Sequence, residues 1–412
     1  MAIEFTLTRE QIELRDQARA FAQAHLAPLV ERVRNTTDAY QAALLVKPAH
    51  EAAVKAGLLK GMIPAFFGGT MGSGVDAAIV TEELSAVMPD FVASLGGVML
   101  ALTPVYFGGD PAQIQRFLAP FLADDGAPQA VMALSEPTGT ANFAAPAPAE
   151  GIRTTAVLDG DEWVINGEKQ WSANLGGWDG RGPELMVVVA RTPGGVSLIG
   201  IEKAQFTTDN LQVLNTIDMP GLRGHLTQTV RLSNVRVPKA NLIGQEGQGP
   251  ELTYMAFTAS SAAVGVMATG TMRAAFDVAF QFAKEQTRGG GVPILDYRPV
   301  ADLLSDAKGR IEAVRLLSWK ALDAVVRGEE AGLELALHAK VFGSETAVDV
   351  INKLIQVVGV QSYNKAFPLI HHLLNAIAYP IFEGGNISVR RRQLQGIFAT
   401  KGWSPLAASG LA

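Results

Sequence analysis

The sequence predicts a mainly α-helical chain with a β domain at its centre. Three observations carry this. Apolar residues recur at three- and four-residue steps through 1–128, short runs rich in Val, Ile, Thr and Trp alternate with turns through 129–243, and the helical period returns over 244–402. A chain of 412 residues is too long for one hydrophobic core, so each stretch is expected to be a packed unit of its own, with 403–412 as a mobile tail.

In the first unit, Phe5, Leu7, Ile12, Leu14, Ala18 and Phe21 form one apolar stripe. Thr8 stands three residues before Gln11, the spacing of a capping box. Pro64, Gly68, Gly69, Gly72 and Gly74 make a loop, and a second helix pair runs through 82–88 and 112–122. In the second unit, TTAVL, the turn Asp159-Gly160-Asp161 and EWVING read as a β-hairpin. LMVVVA, VSLIGIE and TQTVRLSNVRV are further strands, the first two divided by Thr192-Pro193-Gly194-Gly195, and antiparallel pairing is expected. In the third, long amphipathic stretches at 251–286, 298–327, 330–359 and 385–398 predict a four-helix bundle.

Composition excludes several kinds of chemistry. With no cysteine there is no disulfide, thiolate nucleophile or cysteine metal site. The six histidines are scattered, and adjacent His371 and His372 point about 100° apart on a helix, so no metal is expected. A net charge of −6 argues against nucleic acid as a partner. The opening residues carry mixed charge and no apolar run, so no secretory leader is expected. The stretch 255–272, MAFTASSAAVGVMATGTM, is rich in small residues and poor in Leu, which suits a tightly packed bundle helix better than a bilayer span. A cytoplasmic protein with a small-molecule substrate and no membrane partner is the expectation.

Four segments are candidates for chemistry. Ser135-Glu136-Pro137-Thr138-Gly139-Thr140-Ala141-Asn142 follows an apolar run and gathers hydroxyls and backbone N–H groups, as a flat polar ligand or an ordinary turn would require. Trp171 and Trp178 stand seven residues apart among glycines, able to wall an aromatic group or to pack a core. Arg288 precedes three glycines, which suits a pyrophosphate and equally a helix end. The glycines at 244, 247 and 249 lack the spacing of a dinucleotide fingerprint. Glu383 lies between the apolar run 376–382 and two glycines, where partial desolvation makes a carboxylate a better base. Arg390, seven residues on, falls on the same face of a helix and is placed to pair with it.

Taken in order, FTLTREQIELRDQARAFAQAHLAP, AGLLKGMIPAFFGG, TEELSA, ALSEPTGTAN, NGEKQWSAN, NVRVPKANLIGQEGQG, QVVGVQSY and FEGGN resemble the acyl-CoA dehydrogenase superfamily over almost the whole chain. The resemblance is closest to the nitroalkane oxidase branch, through SEPTGTANF, GGWD, SSAAVGVMATGTMRAAF, TRGG, LLSWKA and YPIFEGGNISVRRRQ. Acyl-CoA dehydrogenases usually carry threonine where this chain has Gly385, and a second glutamate where it has Ile387.

The resemblance implies a helical domain, a central β-barrel and a four-helix bundle, with FAD as cofactor. Leu134, Ser135 and Thr140 would contact the flavin, with Trp171, Ala173 and Asn174 along its other side. Arg288 would bind the pyrophosphate, and Gln356 and Gly359 would reach the flavin of a neighbouring subunit, hence a homodimer or homotetramer. Glu383 would remove a proton from substrate carbon, held by Arg390 and near Ser260, with the backbone N–H of Gly384 on the substrate. The electron acceptor would be O2 or an electron-transfer flavoprotein. Three positions depart from the branch. Nitroalkane oxidases have aspartate at the position of Glu383 and serine at that of Ala173, and Arg298 replaces a common glutamine. Two reactions are therefore expected: oxidation of a nitroalkane, or α,β-dehydrogenation of an acyl-CoA. A flavin- or acyl-binding protein without catalysis is the third possibility.

Overall fold

The computed structural model describes residues 6–146 and 151–409. Phe5 of the predicted stripe, and 410–412 of the predicted tail, lie outside the described residues. Thr8 caps α1 (Arg9–Phe21) through the expected reciprocal box, with bonds of 3.2 and 3.1 Å to Gln11. The chain continues through a π turn into α2 (Ala27–Asn35), α3 (Ala39–Leu44) and α4 (Lys47–Lys55). Next come α5 (Gly74–Val87), α6 (Pro89–Gly108) and α7 (Pro111–Leu118), three helices where the sequence predicted a pair. Helix α1 meets α5 through Gln11 and Arg19, which bond Asp76 and Glu83. Ile12, about 100° round from Gln11, is thereby turned outward, while Ala18 and Phe21 are buried.

The central strands are β1 (Ala130–Ala133), β2 (Thr155–Asp159), β3 (Glu162–Ala173), β4 (Leu185–Thr192), β5 (Gly195–Glu202), β6 (Leu211–Thr216), β7 (Thr227–Pro238) and β8 (Leu242–Ile243). They form one sheet in the order β6-β7-β3-β2-β4-β5-β8, with β1 beside β4. The predicted hairpin is β2–β3, closed between Asp159 and Glu162 with Gly160 at φ +64°. Antiparallel pairing dominates, but β1 runs parallel to β4, and β2 meets β4 in parallel at Thr155 and Arg191. This corrects the all-antiparallel expectation. Strand β1 enters from the helical domain instead of from a hairpin, and such a crossover leaves its partner parallel. Trp163, Ile165, Val188, Val230 and Val235 fill the interior of the sheet domain.

The C-terminal unit contains α8 (Gly249–Glu285), α9 (Arg298–Val326), α10 (Ala331–Val358), α11 (Pro368–Ala376) and α12 (Arg391–Phe398). Only three helices are long. The predicted fourth, 385–398, is broken: Asn386–Arg390 is a π turn feeding α12, and α11 was not anticipated. Pro368 starts α11 and Pro380 falls just beyond it, a pattern that keeps the helix short. The small residues of α8 have a packing reason. A Cβ on Gly265 would lie 2.4 Å from Ser318 Oγ and 2.9 Å from the Ala339 carbonyl oxygen, so glycine lets α9 and α10 close on α8. By length and composition α6 and α8 could cross a membrane, yet most of each is buried against protein here. The described part of the tail is bonded to the bundle at two points. Trp403 Nε1 donates to Glu334 at 2.9 Å, its ring meets Phe398, and Lys320 bonds the Ala408 carbonyl at 3.1 Å.

Candidate active site

The end of β1, the end of β3, helices α6 and α8 and the segment 378–390 surround a cavity of about 480 Å³. Three of the four predicted segments meet there. Leu134, Ser135 and Thr140 form one wall. Their turn is anchored from beneath by Glu136, whose carboxylate accepts from Arg153 N–H (2.7 Å), Thr154 N–H (3.0 Å), Thr154 Oγ1 (2.7 Å) and Lys169 Nζ (2.8 Å). Burial raises the pKa of Glu136, but the Lys169 charge and these bonds outweigh it and leave the carboxyl below its usual range. An ordinary turn has no need of such an anchor.

Trp171, Ser172 and Ala173 form a second wall. The β3–β7 register slips between Gln170 and Ala173, and Trp171 sits in this bulge at φ +67°, the residue 57% exposed. A large aromatic held open in a left-handed backbone is shaped for an aromatic partner. Trp178 is different: its ring packs edge-on against His50 and its Nε1 bonds the Ala127 carbonyl at 2.8 Å. Asn174 does not line the cavity as predicted. It is buried behind the bulge at φ +64°, its Oδ1 accepting from Gln129 at 2.8 Å and its N–H donating to Leu226 at 2.8 Å. Bulge geometry turns it toward α6, so it supports the wall from outside.

Glu383 and Gly384 form the third wall. Ser260 on α8 donates to Glu383 Oε2 at 2.6 Å, from 123 residues away, as the resemblance implied. Arg390 is fully buried, but it does not pair with the Glu383 carboxylate. Its Nε and Nη2 both donate to the Glu383 main-chain oxygen, at 2.9 and 2.5 Å, and its Nη1 to Gln393 Oε1 at 2.7 Å. The helical spacing behind the predicted pair is absent. Glu383, Gly384 and Gly385 have φ of +53°, +86° and +61°, an arch that presents the carbonyl to Arg390 and leaves the carboxylate to Ser260. Burial lowers the Arg390 pKa to about 10 despite the attraction of Glu383. Gly384 is required here, because a Cβ would lie 2.9 Å from Arg390 Nη2.

Arg288, Gln356 and Gly359 are not among the residues lining this cavity. All three are exposed on the bundle, where Arg288 Nη2 donates to the Val358 carbonyl at 2.5 Å and lies 4.9 Å from the Phe282 ring. Arg298 is exposed beside Asp302. Tyr254 and His225 are among the lining residues that the sequence reading does not reach. Tyr254 meets Phe143 with the rings tilted, centroids 5.1 Å apart, and His225 pairs through Nδ1 with Thr227 Oγ1 at 2.7 Å. Burial pushes His225 down to about 4, so its ring is neutral near pH 7. RGHLT gave no sign of this, since the cavity that defines the histidine's role is built from distant elements. Among the described residues no group of acidic or histidine side chains could hold a metal.

Comparison with known proteins places this geometry. The acyl-CoA dehydrogenase N-terminal domain family matches residues 8–125, and the C-terminal domain family matches 247–396. The chain is 41% identical to a nitroalkane oxidase of Podospora anserina over 96% of each chain. The chain belongs to the acyl-CoA dehydrogenase superfamily, on its nitroalkane oxidase branch. It is an FAD-dependent oxidoreductase of that superfamily. A nitroalkane oxidase of Fusarium oxysporum is 36% identical over 99% of this chain and 97% of its own. A solved Podospora anserina nitroalkane oxidase superposes with a TM-score of 0.94, at 38% identity over 99% of this chain and 100% of that one. The cavity suits the cofactor's ring system: the exposed Trp171 offers a face, the Ser135 turn offers hydroxyls, and the volume lies within the range of small-molecule sites.

Proposed function

We propose that this enzyme oxidises small nitroalkanes, with Glu383 as the base that removes the proton next to the nitro group. The observation that carries the reading is the Glu383 carboxylate on the cavity wall, bonded to Ser260 at 2.6 Å and held through its own carbonyl by Arg390. A base fixed at both ends is already oriented, and orientation is a large part of a proton-transfer barrier. The nitro group needs donors as negative charge reaches its oxygens, and Gly384, on the same wall, would offer its N–H. FAD, when bound, supplies the electron acceptor, and Leu134, Ser135, Thr140, Trp171 and Ala173, which line the cavity, would hold it. With O2 as final acceptor, nitroalkane, O2 and water give aldehyde or ketone, nitrite and H2O2. Arg288, Gln356 and Gly359, on the exposed face of the bundle, would serve the flavin of a second subunit, so at least a homodimer is proposed.

The test is nitrite release from nitroethane by the purified yellow protein. Glu383→Gln should lower kcat/KM by about 10²–10⁴-fold with FAD retained. No nitrite, with the flavin still oxidised under anaerobic nitroethane, rejects the reading. One observation favours a second: position 383 is glutamate, the base of acyl-CoA dehydrogenases, and not the aspartate of the branch. Bleaching of the flavin by an acyl-CoA, sustained by an artificial acceptor, would select that activity. Glutamate reaches one methylene further, and a misplacement of about 1 Å can cost about 100-fold. Glu383→Asp therefore reads directly which length the cavity is built for.

A further inference from the structure

Lys340 lies in the middle of α10, fully buried, and forms no ion pair among the described residues. Its Nζ donates to the Tyr379 carbonyl and, at 3.1 Å, to Asn386 Oδ1, and stands 5.5 Å from the centre of the Phe382 ring. These contacts fall on both ends of the segment 379–386. Between them lie the three left-handed residues Glu383, Gly384 and Gly385. A glutamate in that backbone region is strained and keeps its shape only if its surroundings impose it. The ends are fixed on every side. Asn386 N–H donates to the Pro380 carbonyl at 2.8 Å, and its Nδ2 donates to Ser344 Oγ at 3.0 Å and Glu345 Oε1 at 3.1 Å on α10. The Tyr379 hydroxyl meets Thr271 Oγ1 on α8 at 2.7 Å.

Stability does not explain a lysine here. Burial, with the nearby Arg390 charge, pushes Lys340 down to about 7, against the pull of Glu383 and Glu345. An apolar side chain of similar volume would avoid that desolvation. What an apolar chain lacks is the pair of N–H bonds that ties Tyr379 to Asn386. We infer that Lys340 is the positioning residue of the arch, fixing its two ends from α10 so that the Glu383 carboxylate points into the cavity. The inference rests on Glu383 being the base.

The experiment compares Lys340→Met with wild-type holoenzyme, using nitroethane and 1,1-dideuteronitroethane. The expected result is retained FAD and an unchanged or raised Tm. With it, kcat/KM falls about 10- to 100-fold, and the deuterium isotope effect on kcat/KM is at least as large as in wild type, because proton removal has become slower. Lys340→Gln, which keeps a donor, should recover part of the loss. A kcat/KM within about twofold of wild type, or an isotope effect smaller than that of wild type, overturns the inference. A Tm that falls in step with activity does so too, since it assigns the residue to folding. If Lys340→Met does not fold, Asn386→Ala carries the test with the same readouts. Wild-type protein that releases no nitrite sinks the base-and-nitroalkane reading instead, whatever the variants do.

Discussion

Lys169 and Lys340 are both completely buried, one bonded to the Ser135 turn and one to the Glu383 segment, and they are held in different ways. Lys169, on β3, meets the Glu136 carboxylate at 2.8 Å and the carbonyls of Leu134 and Val189 at 3.2 and 2.8 Å. Lys340, on α10, hydrogen-bonds a carbonyl and a side-chain amide and forms no ion pair among the described residues. Burial lowers both, Lys169 to about 8 against the pull of Glu136, and Lys340 to about 7. The Ser135 turn is thus fastened by a full ion pair, and the Glu383 arch by dipoles. A paired charge is costly to break. A charge held by dipoles is costly to keep, and it persists where its geometry is used.

The largest expected effect comes from breaking the pair. Lys169→Met leaves Glu136 buried with three donors and no cation, and should cost about 3–5 kcal/mol in urea unfolding of the holoenzyme, while Lys340→Met costs little. Equal losses from the two would erase the distinction. A smaller effect is expected from pH. The unfolded chain holds a proton on Lys340 up to about 10.5, whereas the folded protein releases it at about 7. The penalty of burying the charge is complete below pH 7 and fades as pH rises toward 10.5, so Lys340 makes stability increase with pH across that window. Wild type should gain on Lys340→Met there, by at most about 1.4 kcal/mol per pH unit, and parallel curves would contradict the assignment. The smallest effect belongs to the double replacement Lys169→Met with Glu136→Leu. Removing both charges should restore stability to within about 1 kcal/mol of wild type. A double variant as unstable as Lys169→Met would mean that Glu136 acts through Thr154 and Arg153 alone.

Much of this site is legible as short motifs and little of it as bonds. SEPTGTAN and NGEKQWSAN each contain one member of the Glu136–Lys169 pair, but nothing in either segment says that residues 33 apart in sequence touch. Trp171 and Trp178 carry the same signal, and the register slip in β3 puts one on the cavity wall while the other, half-buried, packs on His50. Arg390 is found by its spacing from Glu383, yet the partner atom is wrong, because helical spacing assumes a helix and the backbone there is an arch. Asn174, adjacent to a lining residue, faces the opposite way for the same kind of reason.

The sequence by itself determined the order of helical, β and helical units, the cap at Thr8, the hairpin at Gly160 and the family to which the chain belongs. These depend on periodicity, turn chemistry and motif order, all set by residues near one another in the chain. Tertiary structure alone decided that Ser260 reaches Glu383, that Arg390 holds a carbonyl instead of a carboxylate, and that a lysine on α10 clasps the arch. Those choices depend on which polar groups are left together once water is excluded, and only the packed chain determines that.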